Sequence, residues 1–304
     1  MSEVVLLTGG TSGIGREAAE ILAAQGAIVL FTGRDREAGR EVLLAVRSAH
    51  PESAGEFYRV DFADFEAVRE LAREIRADYD RLDALVNNAG TSQSQRRTTE
   101  EGVEFTFAVN HLAPFLLTNL LVPRLRESAP ARIINTTSAL HENGSLSDLE
   151  AVVRGEEADG SGAFDGLDAY ADSKLANVLF TVELAERLAG TGVTANCVHP
   201  GWIPQTGLVR NSTGFARAFT GAAALVASVA PVGPFESVEG AADALVYLTT
   251  SDEVADVSGA YFDRRERASP AKVVGDEELR RRLWRRSAEL VGLPASVPEG
   301  DPLA

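Results

Sequence analysis

The sequence predicts an α/β fold in which one doubly wound, mostly parallel sheet carries helices on both faces. Six short apolar runs alternate with amphipathic helical segments from the N-terminus onward. A glycine-rich turn follows the first run, and most runs end in polar residues or glycine. Parallel sheets bind their ligands at such strand ends, so this edge is where we look for a site.

The predicted strands are residues 4–8, 27–32, 56–61, 84–90, 131–138 and 193–200, and residues 14–25 and 65–79 have the apolar spacing of helices. With 304 residues and no linker or repeat, we expect one domain over 1–293 and a disordered tail over 294–304. Two stretches show neither the apolar spacing of a helix nor that of a strand. Residues 142–166 are predicted to form a loop, and residues 201–234 a lid over the substrate.

Composition excludes several classes of function. The net charge of −16 argues against a nucleic-acid partner. One cysteine, Cys197, leaves no internal disulfide, and the four histidines lack metal-ligand spacing, so we expect no metal. No signal peptide is visible, and the most apolar stretch, 215–232, contains Arg217 and makes a poor membrane span. We therefore expect a cytoplasmic protein.

The motif TGGTSGIGRE, residues 8–17, predicts a dinucleotide site. It links the first strand to the first helix, where glycines allow close approach of the backbone and the helix start offers free N–H groups to a pyrophosphate. Its spacing is GxxxGxG rather than the better-known GxGxxG. The candidate cofactor-binding residues of this turn are Gly9, Thr11, Ser12, Gly13, Ile14 and Gly15.

The second strand ends in FTGRD, which favours NADP over NAD. Gly33 leaves room for a 2′-phosphate, and Arg34 can grip that phosphate with two hydrogen bonds. In the competing interpretation, Asp35 holds the ribose 2′-OH of NAD. We interpret Asp35 instead as the N-cap of the next helix. Arg16 either adds to the phosphate field or is simply solvated.

Polar groups also end the third and fourth strands. Asp61 and Phe62 close the third strand, and the sequence NNAG, residues 87–90, closes the fourth. These residues are suited to flank adenine and ribose, although each group alone is also typical of turns. The additional cofactor-binding candidates are Asp61, Phe62, Asn88, Ala89 and Gly90.

Tyr170 and Lys174, in YADSK, form the most informative pair. The chain has only two lysines, Lys174 and Lys272, among 29 basic residues. Positions i and i+4 share a face of a helix, so the ammonium and the phenol can serve one site. A lysine is a compact point charge that fits beside a phenol, whereas a guanidinium is a wide planar fork.

These motifs together resemble the short-chain dehydrogenase/reductase family. TGGTSGIG, NNAG, Asn110, Ser138 and YADSK follow in the family's order, and the resemblance spans residues 3–263. A narrower resemblance, to the branch of retinol dehydrogenase and protochlorophyllide reductase, lies in HLAPFLLTNLL, TSALH, YADSKLANVLF and HPGWIPQTGL. The 32 residues from Ser138 to Tyr170 exceed the spacing of many members. The fold implied is a single Rossmann-type domain.

The resemblance implies a catalytic set of Asn110, Ser138, Tyr170 and Lys174. Tyr170 is expected to exchange a proton with substrate, with its pKa lowered by the neighbouring ammonium and by an oxidised nicotinamide. Ser138 is expected to hydrogen-bond the substrate oxygen, and Asn110 to hold a water that links Lys174 to solvent. Tyr170 and Lys174 also count as cofactor contacts, and Ile203 and Thr206 as contacts of the nicotinamide carboxamide.

The function implied is NADP(H)-dependent interconversion of a carbonyl and an alcohol on an apolar small molecule. Reduction of a conjugated C=C bond is an alternative that uses the same cofactor and acid. A non-catalytic NADP(H)-binding sensor or scaffold is a further alternative, although a pure binder has no need for an activated phenol. By family analogy we expect a homodimer or homotetramer.

Overall fold

The computed structural model describes residues 2–50, 55–156, 164–203 and 236–298. Its eight-stranded sheet has the order β3-β2-β1-β4-β5-β6-β7-β8. Neighbouring strands are parallel except β7 and β8, which pair antiparallel. The strands are β1 Val4–Leu7, β2 Ile28–Gly33, β3 Glu56–Arg59, β4 Ala84–Asn87, β5 Ala131–Thr136, β6 Val193–His199, β7 Tyr261–Asp263 and β8 Glu266–Ala268. The predicted doubly wound sheet is confirmed.

Helices cover both faces of this sheet. Those described are α1 Gly13–Ala24, α2 Arg36–Ala49, α3 Phe65–Asp78, α4 Phe105–Glu127, α5 Leu149–Arg154, α6 Gly166–Arg187, α7 Val238–Thr250 and α8 Glu277–Leu290. Helices α1, α2 and α7 bury their apolar sides in one cluster, and α3, α4, α6 and α8 bury theirs in a second. Successive side chains of β1 alternate between the clusters, which explains its unbroken apolar run.

Helix α4 is the one helix in the described ranges that is long and apolar enough to resemble a membrane span. Its length and composition would suffice to cross a membrane, yet the qualifying window is entirely buried inside the protein. Sandwiched between the sheet and its neighbouring helices, it has the burial of a core helix. It widens into a π-helical turn at Ala108–Leu112. Such turns are rare and often occur at functional sites, and Asn110 lies in this one.

The structure differs from the sequence predictions in three places. Strands β7 and β8, of three residues each, were not predicted. The predicted loop 142–166 contains helix α5, capped by Asp148. The disordered tail is wrong for residues 294–298, because the carbonyl oxygen of Ala295 accepts hydrogen bonds from Arg187 and Trp284. Most of the predicted lid, from residue 204 onward, lies outside the described residues.

The strand order fixes where a ligand site can form. The chain proceeds from β1 outward to β3 and then returns to add β4 on the other side of β1. The connections after β1 and β4 therefore leave in opposite directions and open a crevice at their carboxyl ends. The glycine-rich turn after β1 and NNAG after β4 meet at this crevice.

Candidate active site

The glycine-rich turn packs so closely against NNAG that side chains would not fit. Gly9 has a φ of +71°, and a Cβ on it would lie 2.9 Å from the Cα of Ala89. A Cβ on Gly15 would collide with the carbonyl oxygen of Gly9. The hydroxyl oxygen of Thr8 accepts hydrogen bonds from the amides of Asn88 and Ala89, both at 3.0 Å. The two motifs thus form one rigid floor.

No side chain of the first turn caps the backbone N–H groups at the start of α1. Ser12 occupies the N-cap position without a side-chain hydrogen bond, and the first turn contains no acidic residue. By contrast, Asp35, Asp64 and Asp165 each accept two backbone N–H groups at the starts of α2, α3 and α6. The N–H groups of α1 therefore remain available, which fits the pyrophosphate of a dinucleotide.

The tip of β2 presents an arginine. Arg34 is exposed and has no ion-pair partner among the described residues. A Cβ on Gly33 would collide with Thr11 of the glycine-rich turn. The side chain of Asp35 caps α2, as predicted, because its Oδ1 accepts the amides of Glu37 and Ala38. Arg16 is paired with Glu20 at 2.9 Å, which reduces its value as a phosphate ligand.

Sequence reasoning missed one residue at this tip. Arg59 is the register partner of Gly33 across β2 and β3, and its Nε donates to the carbonyl oxygen of Arg34 at 3.1 Å. Its position inside the predicted strand 56–61 was the available signal. Arg59 therefore braces the backbone that carries Arg34.

The residues after β3 contribute less than predicted. The carboxylate of Asp61 accepts the amide of Ala63 at 3.0 Å, which is the chemistry of a turn. The side chain of Phe62 is only 5% exposed and belongs to the core. Its backbone lies just beyond the strand end, and its place beside adenine or ribose stays a prediction.

Tyr170 and Lys174 share one face of α6, as predicted. The ammonium nitrogen of Lys174 lies 5.4 Å from the centre of the Tyr170 ring. It also donates to the carbonyl oxygen of Thr136, at the end of β5, at 3.1 Å. Lys174 is 3% exposed, while Tyr170 is half-buried. The hydroxyl of Thr136 has no partner among the described residues, so this strand end retains capacity for a ligand.

The pKa of the phenol shifts in the direction opposite to the prediction. Burial raises the pKa of Tyr170 from its ordinary 10.0 to about 12, and a hydrogen bond with Ser138 lowers it only partly. Burial lowers the pKa of Lys174 from its ordinary 10.5 to about 8. Loss of water disfavours the charged form of both groups. The lowering of the Tyr170 pKa that was expected from an oxidised nicotinamide is a property of the complex with the cofactor and not of the chain alone. The phenol of Tyr170 is therefore protonated near neutral pH.

Ser138 lies just after β5 and begins a short 3-10 turn, Ala139–Asn143. Its hydroxyl oxygen accepts the amide of Leu140 at 3.3 Å and is also within hydrogen-bond reach of the Tyr170 phenol. The turn role that competed with a catalytic role is thus observed, and the catalytic role of Ser138 stays a prediction. Ser138 and Tyr170 can bind a common substrate oxygen.

Asn110 is completely buried, and its side chain holds protein groups rather than a water. Its Oδ1 accepts the amide of Thr91 at 2.7 Å, and its Nδ2 donates to the carbonyl oxygen of Thr91 and to the hydroxyl of Ser173. Its backbone carbonyl oxygen accepts Nδ2 of Asn177 at 2.9 Å. Any water that Asn110 holds must use the remaining lone pair of its Oδ1 or of that carbonyl. The partners Thr91, Ser173 and Asn177 were not predicted.

The two ends of the crevice meet at Gly90. A Cβ on Gly90 would lie 3.4 Å from Oδ1 of Asn110 and 3.6 Å from Nζ of Lys174. NNAG therefore lies in van der Waals range of both Asn110 and Lys174. Ile203 follows β6 and is 6% exposed. Thr206 lies outside the described residues, so the two predicted carboxamide contacts are not both visible.

Comparisons with known proteins agree with this geometry. The family model described as short chain dehydrogenase matches residues 3–147, and the one described as enoyl-(acyl carrier protein) reductase matches residues 151–263. Retinol dehydrogenase 13 of Homo sapiens is 39% identical over 308 residues, which cover 99% of this chain and 88% of the human protein.

Two solved structures extend the comparison. An uncharacterized protein from Mycobacterium paratuberculosis superposes with a TM-score of 0.72 and 27% identity, covering 97% of this chain and 95% of that one. A blue fluorescent protein from a metagenomic library, solved in complex with NADPH, has a TM-score of 0.65 and 25% identity, covering 86% and 95%.

Proposed function

The chain belongs to the short-chain dehydrogenase/reductase family, in its retinol dehydrogenase-like branch, and it is therefore an NAD(P)-dependent oxidoreductase. We propose that it uses NADP(H) to interconvert a carbonyl and an alcohol on an apolar small molecule. The observation that carries this proposal is the arrangement of Tyr170, Ser138 and Lys174 at the carboxyl end of β5, beside the floor formed by the glycine-rich turn and NNAG.

Tyr170 serves as the proton donor when a carbonyl is reduced. Its pKa of about 12 keeps the phenol protonated near neutral pH, so a proton is ready for the substrate oxygen. The bound nicotinamide supplies the hydride in reduction and accepts it in oxidation. Ser138 holds the substrate oxygen by a hydrogen bond, and that contact strengthens as negative charge develops there.

Lys174 restores the proton of Tyr170 and holds the nicotinamide ribose. Its pKa of about 8 lets the amine gain and lose a proton close to neutral pH, which suits a relay. The carbonyl of Thr136 fixes the position of Nζ at 3.1 Å. A water on the free lone pair of the Asn110 carbonyl would complete the path to solvent.

The preference for NADP(H) over NAD(H) is supported at the tip of β2. Arg34 is exposed and unpaired among the described residues, and Arg59 braces its backbone at 3.1 Å. Asp35, the residue that would select the 2′-OH of NAD, is already used as a helix cap. One compared structure was solved with NADPH, which is consistent with this preference.

An apolar substrate is supported by the branch, since the human relative is named a retinol dehydrogenase. The exposed Trp202 beside β6 adds an apolar surface near the site. Reduction of a conjugated C=C bond remains the second candidate, and the description of the model that matches residues 151–263 favours it. The acid and the cofactor are common to both reactions.

The test is a panel of aldehydes, ketones and enones of graded chain length, assayed with NADPH and with NADH by loss of absorbance. We expect long-chain aldehydes or ketones to turn over with NADPH, with apolar length lowering KM. Product analysis that finds a saturated C–C bond with an intact carbonyl would assign the second candidate. Tight binding of NADPH without turnover of any compound would instead indicate a sensor or scaffold.

A further inference from the structure

The C-terminal segment, residues 264–298, packs against the helices that carry the catalytic residues. It comprises β8, a 3-10 turn at Lys272–Gly275 and α8, and it lies beyond both family-model matches. Trp284 of α8 is 2% exposed and contacts the rings of Phe115 in α4 and Phe180 in α6. Arg280 forms ion pairs with Glu183 and Glu186 of α6. This burial makes the segment part of the main core.

His141 connects this segment to Ser138. Its Nδ1 lies 2.8 Å from the carbonyl oxygen of Ser138, and its Nε2 lies 3.1 Å from the amide of Ala271. The amide can only donate and the carbonyl can only accept, so the ring must be neutral with its proton on Nδ1. His141 is fully buried and stacks 4.8 Å from the Tyr261 ring of β7. It therefore does not reach substrate.

His111 makes an equivalent connection to Asn110. Its Nε2 lies 2.8 Å from the hydroxyl of Ser287 in α8, and its Nδ1 lies 3.3 Å from Oδ1 of Asn177. The amide of Asn177 points its Nδ2 at the carbonyl oxygen of Asn110, at 2.9 Å. With that orientation, Oδ1 accepts the Nδ1 proton of His111, and Ser287 donates to Nε2.

The two histidines thus have the same tautomer, with the proton on Nδ1, and the same orientation relative to the C-terminal segment. Each places its Nδ1–H toward a catalytic segment and its bare Nε2 toward a donor in the C-terminal segment. Burial lowers the pKa of His111 to about 4 and also lowers the pKa of His141, which keeps both rings neutral. Each is sequence-adjacent to a catalytic residue, at one and three positions away.

We propose that His111 and His141 are positioning residues through which the C-terminal segment fixes the backbone of Asn110 and the turn of Ser138. The inference rests on the proposed function, because it assigns those two residues a part in the reaction. The carbonyl of Ser138 opens the turn that aims its hydroxyl at Tyr170. The carbonyl of Asn110 has a lone pair left with which it can hold the relay water.

The His141 connection can be cut at a single atom. Ala271 has a φ of −49°, close to the value that a proline ring imposes, so Ala271→Pro removes the donating N–H, and the proline Cδ displaces the His141 ring that had accepted it. Ala271→Gly is the matched control, since it keeps that N–H. We expect Ala271→Pro to lower kcat roughly tenfold, while Kd for NADPH changes less than about twofold. Ala271→Gly should keep kcat within about twofold of the unmodified enzyme.

A pH profile separates positioning from mere loss of stability. The hydrogen bond with Ser138 lowers the pKa of Tyr170, so a loosened Ser138 should move the alkaline limb of kcat to higher pH in Ala271→Pro. Ser287→Ala removes the donor to His111 and should lower kcat without moving that limb. Full kcat in both Ala271→Pro and Ser287→Ala would overturn the proposal.

A measurement without turnover tests the same connections. In nitrogen-15 spectra of histidine-labelled protein, with signals assigned from His111→Gln and His141→Gln, both rings should be neutral with the proton on Nδ1. A proton on Nε2 of either ring would overturn the proposal for that histidine. An enzyme that turns over no compound would contradict the proposed function, while these spectra would still decide the hydrogen bonds.

Discussion

The nucleotide end and the catalytic end of the sheet edge treat their polar groups in opposite ways. At the nucleotide end, Ser12 leaves the start of α1 uncapped, and Arg34 has no ion-pair partner among the described residues. At the catalytic end, the protein itself holds the functional groups: Lys174 is bound by Thr136, and Asn110 by Thr91, Ser173 and Asn177.

The difference follows from what each end must do. A binding surface gains affinity from donors that find their partners only in the ligand. A proton-transfer site gains rate from groups whose positions are set before the substrate arrives. Substitutions at the nucleotide end should therefore change affinity and cofactor choice, whereas substitutions at the catalytic end should change turnover.

Tyr170→Phe is expected to have the largest effect. It keeps the ring in place but removes the proton donor, so kcat should fall by roughly 10³-fold, within the range for loss of a general acid. Kd for NADPH, measured by fluorescence titration, should change little. Retained turnover would show that another group donates the proton and would break the division between the two ends.

Arg34→Ala should have an intermediate effect and the opposite character. Loss of a charged contact to a 2′-phosphate should weaken NADPH binding by roughly 10- to 100-fold while NADH binding stays nearly constant. Arg16→Ala serves as the matched control, because Arg16 is already paired with Glu20. Equal losses for NADPH and NADH would mean that Arg34 does not read the phosphate.

Lys174→Met should reveal a smaller, pH-dependent effect on the cofactor-free protein. The folded pKa of Lys174, about 8, lies below its ordinary 10.5, so between these values the unfolded chain binds more protons. Stability contributed by Lys174 should therefore rise with pH from 8 to 10, before Tyr170 begins to act in the opposite sense. Thermal melts at several pH values should show that the Tm of the wild type rises relative to that of Lys174→Met across this range. Parallel curves would contradict a buried, shifted amine.

Much of the fold was predictable because its signals are local. Strands β1, β2, β4, β5 and β6 are mostly apolar runs buried on both faces, and the N-cap role of Asp35 is a matter of adjacent residues. The short strands β7 and β8 escaped prediction because three residues carry too little pattern. Helix α5 escaped because six residues within a polar stretch show no clear period.

At the site, residue types were predictable, but their partners were not. The motifs point to Tyr170, Lys174 and Ser138, and the structure brings these together. The groups that hold the site come from distant parts of the chain, such as Ser287 for His111 and Ala271 for His141. The pKa of Tyr170 was missed for the same reason, since burial is a property of the assembled core.

The uncapped start of α1 affects how fast the coenzyme associates, because the chain carries a net charge of −16. At long range the molecule repels an anionic dinucleotide, while at contact the helix start and Arg34 attract it. Dissolved salt screens the long-range repulsion over roughly 8 Å at physiological ionic strength. Encounter with the coenzyme is thus assisted, rather than slowed, by the ions of the surrounding solution.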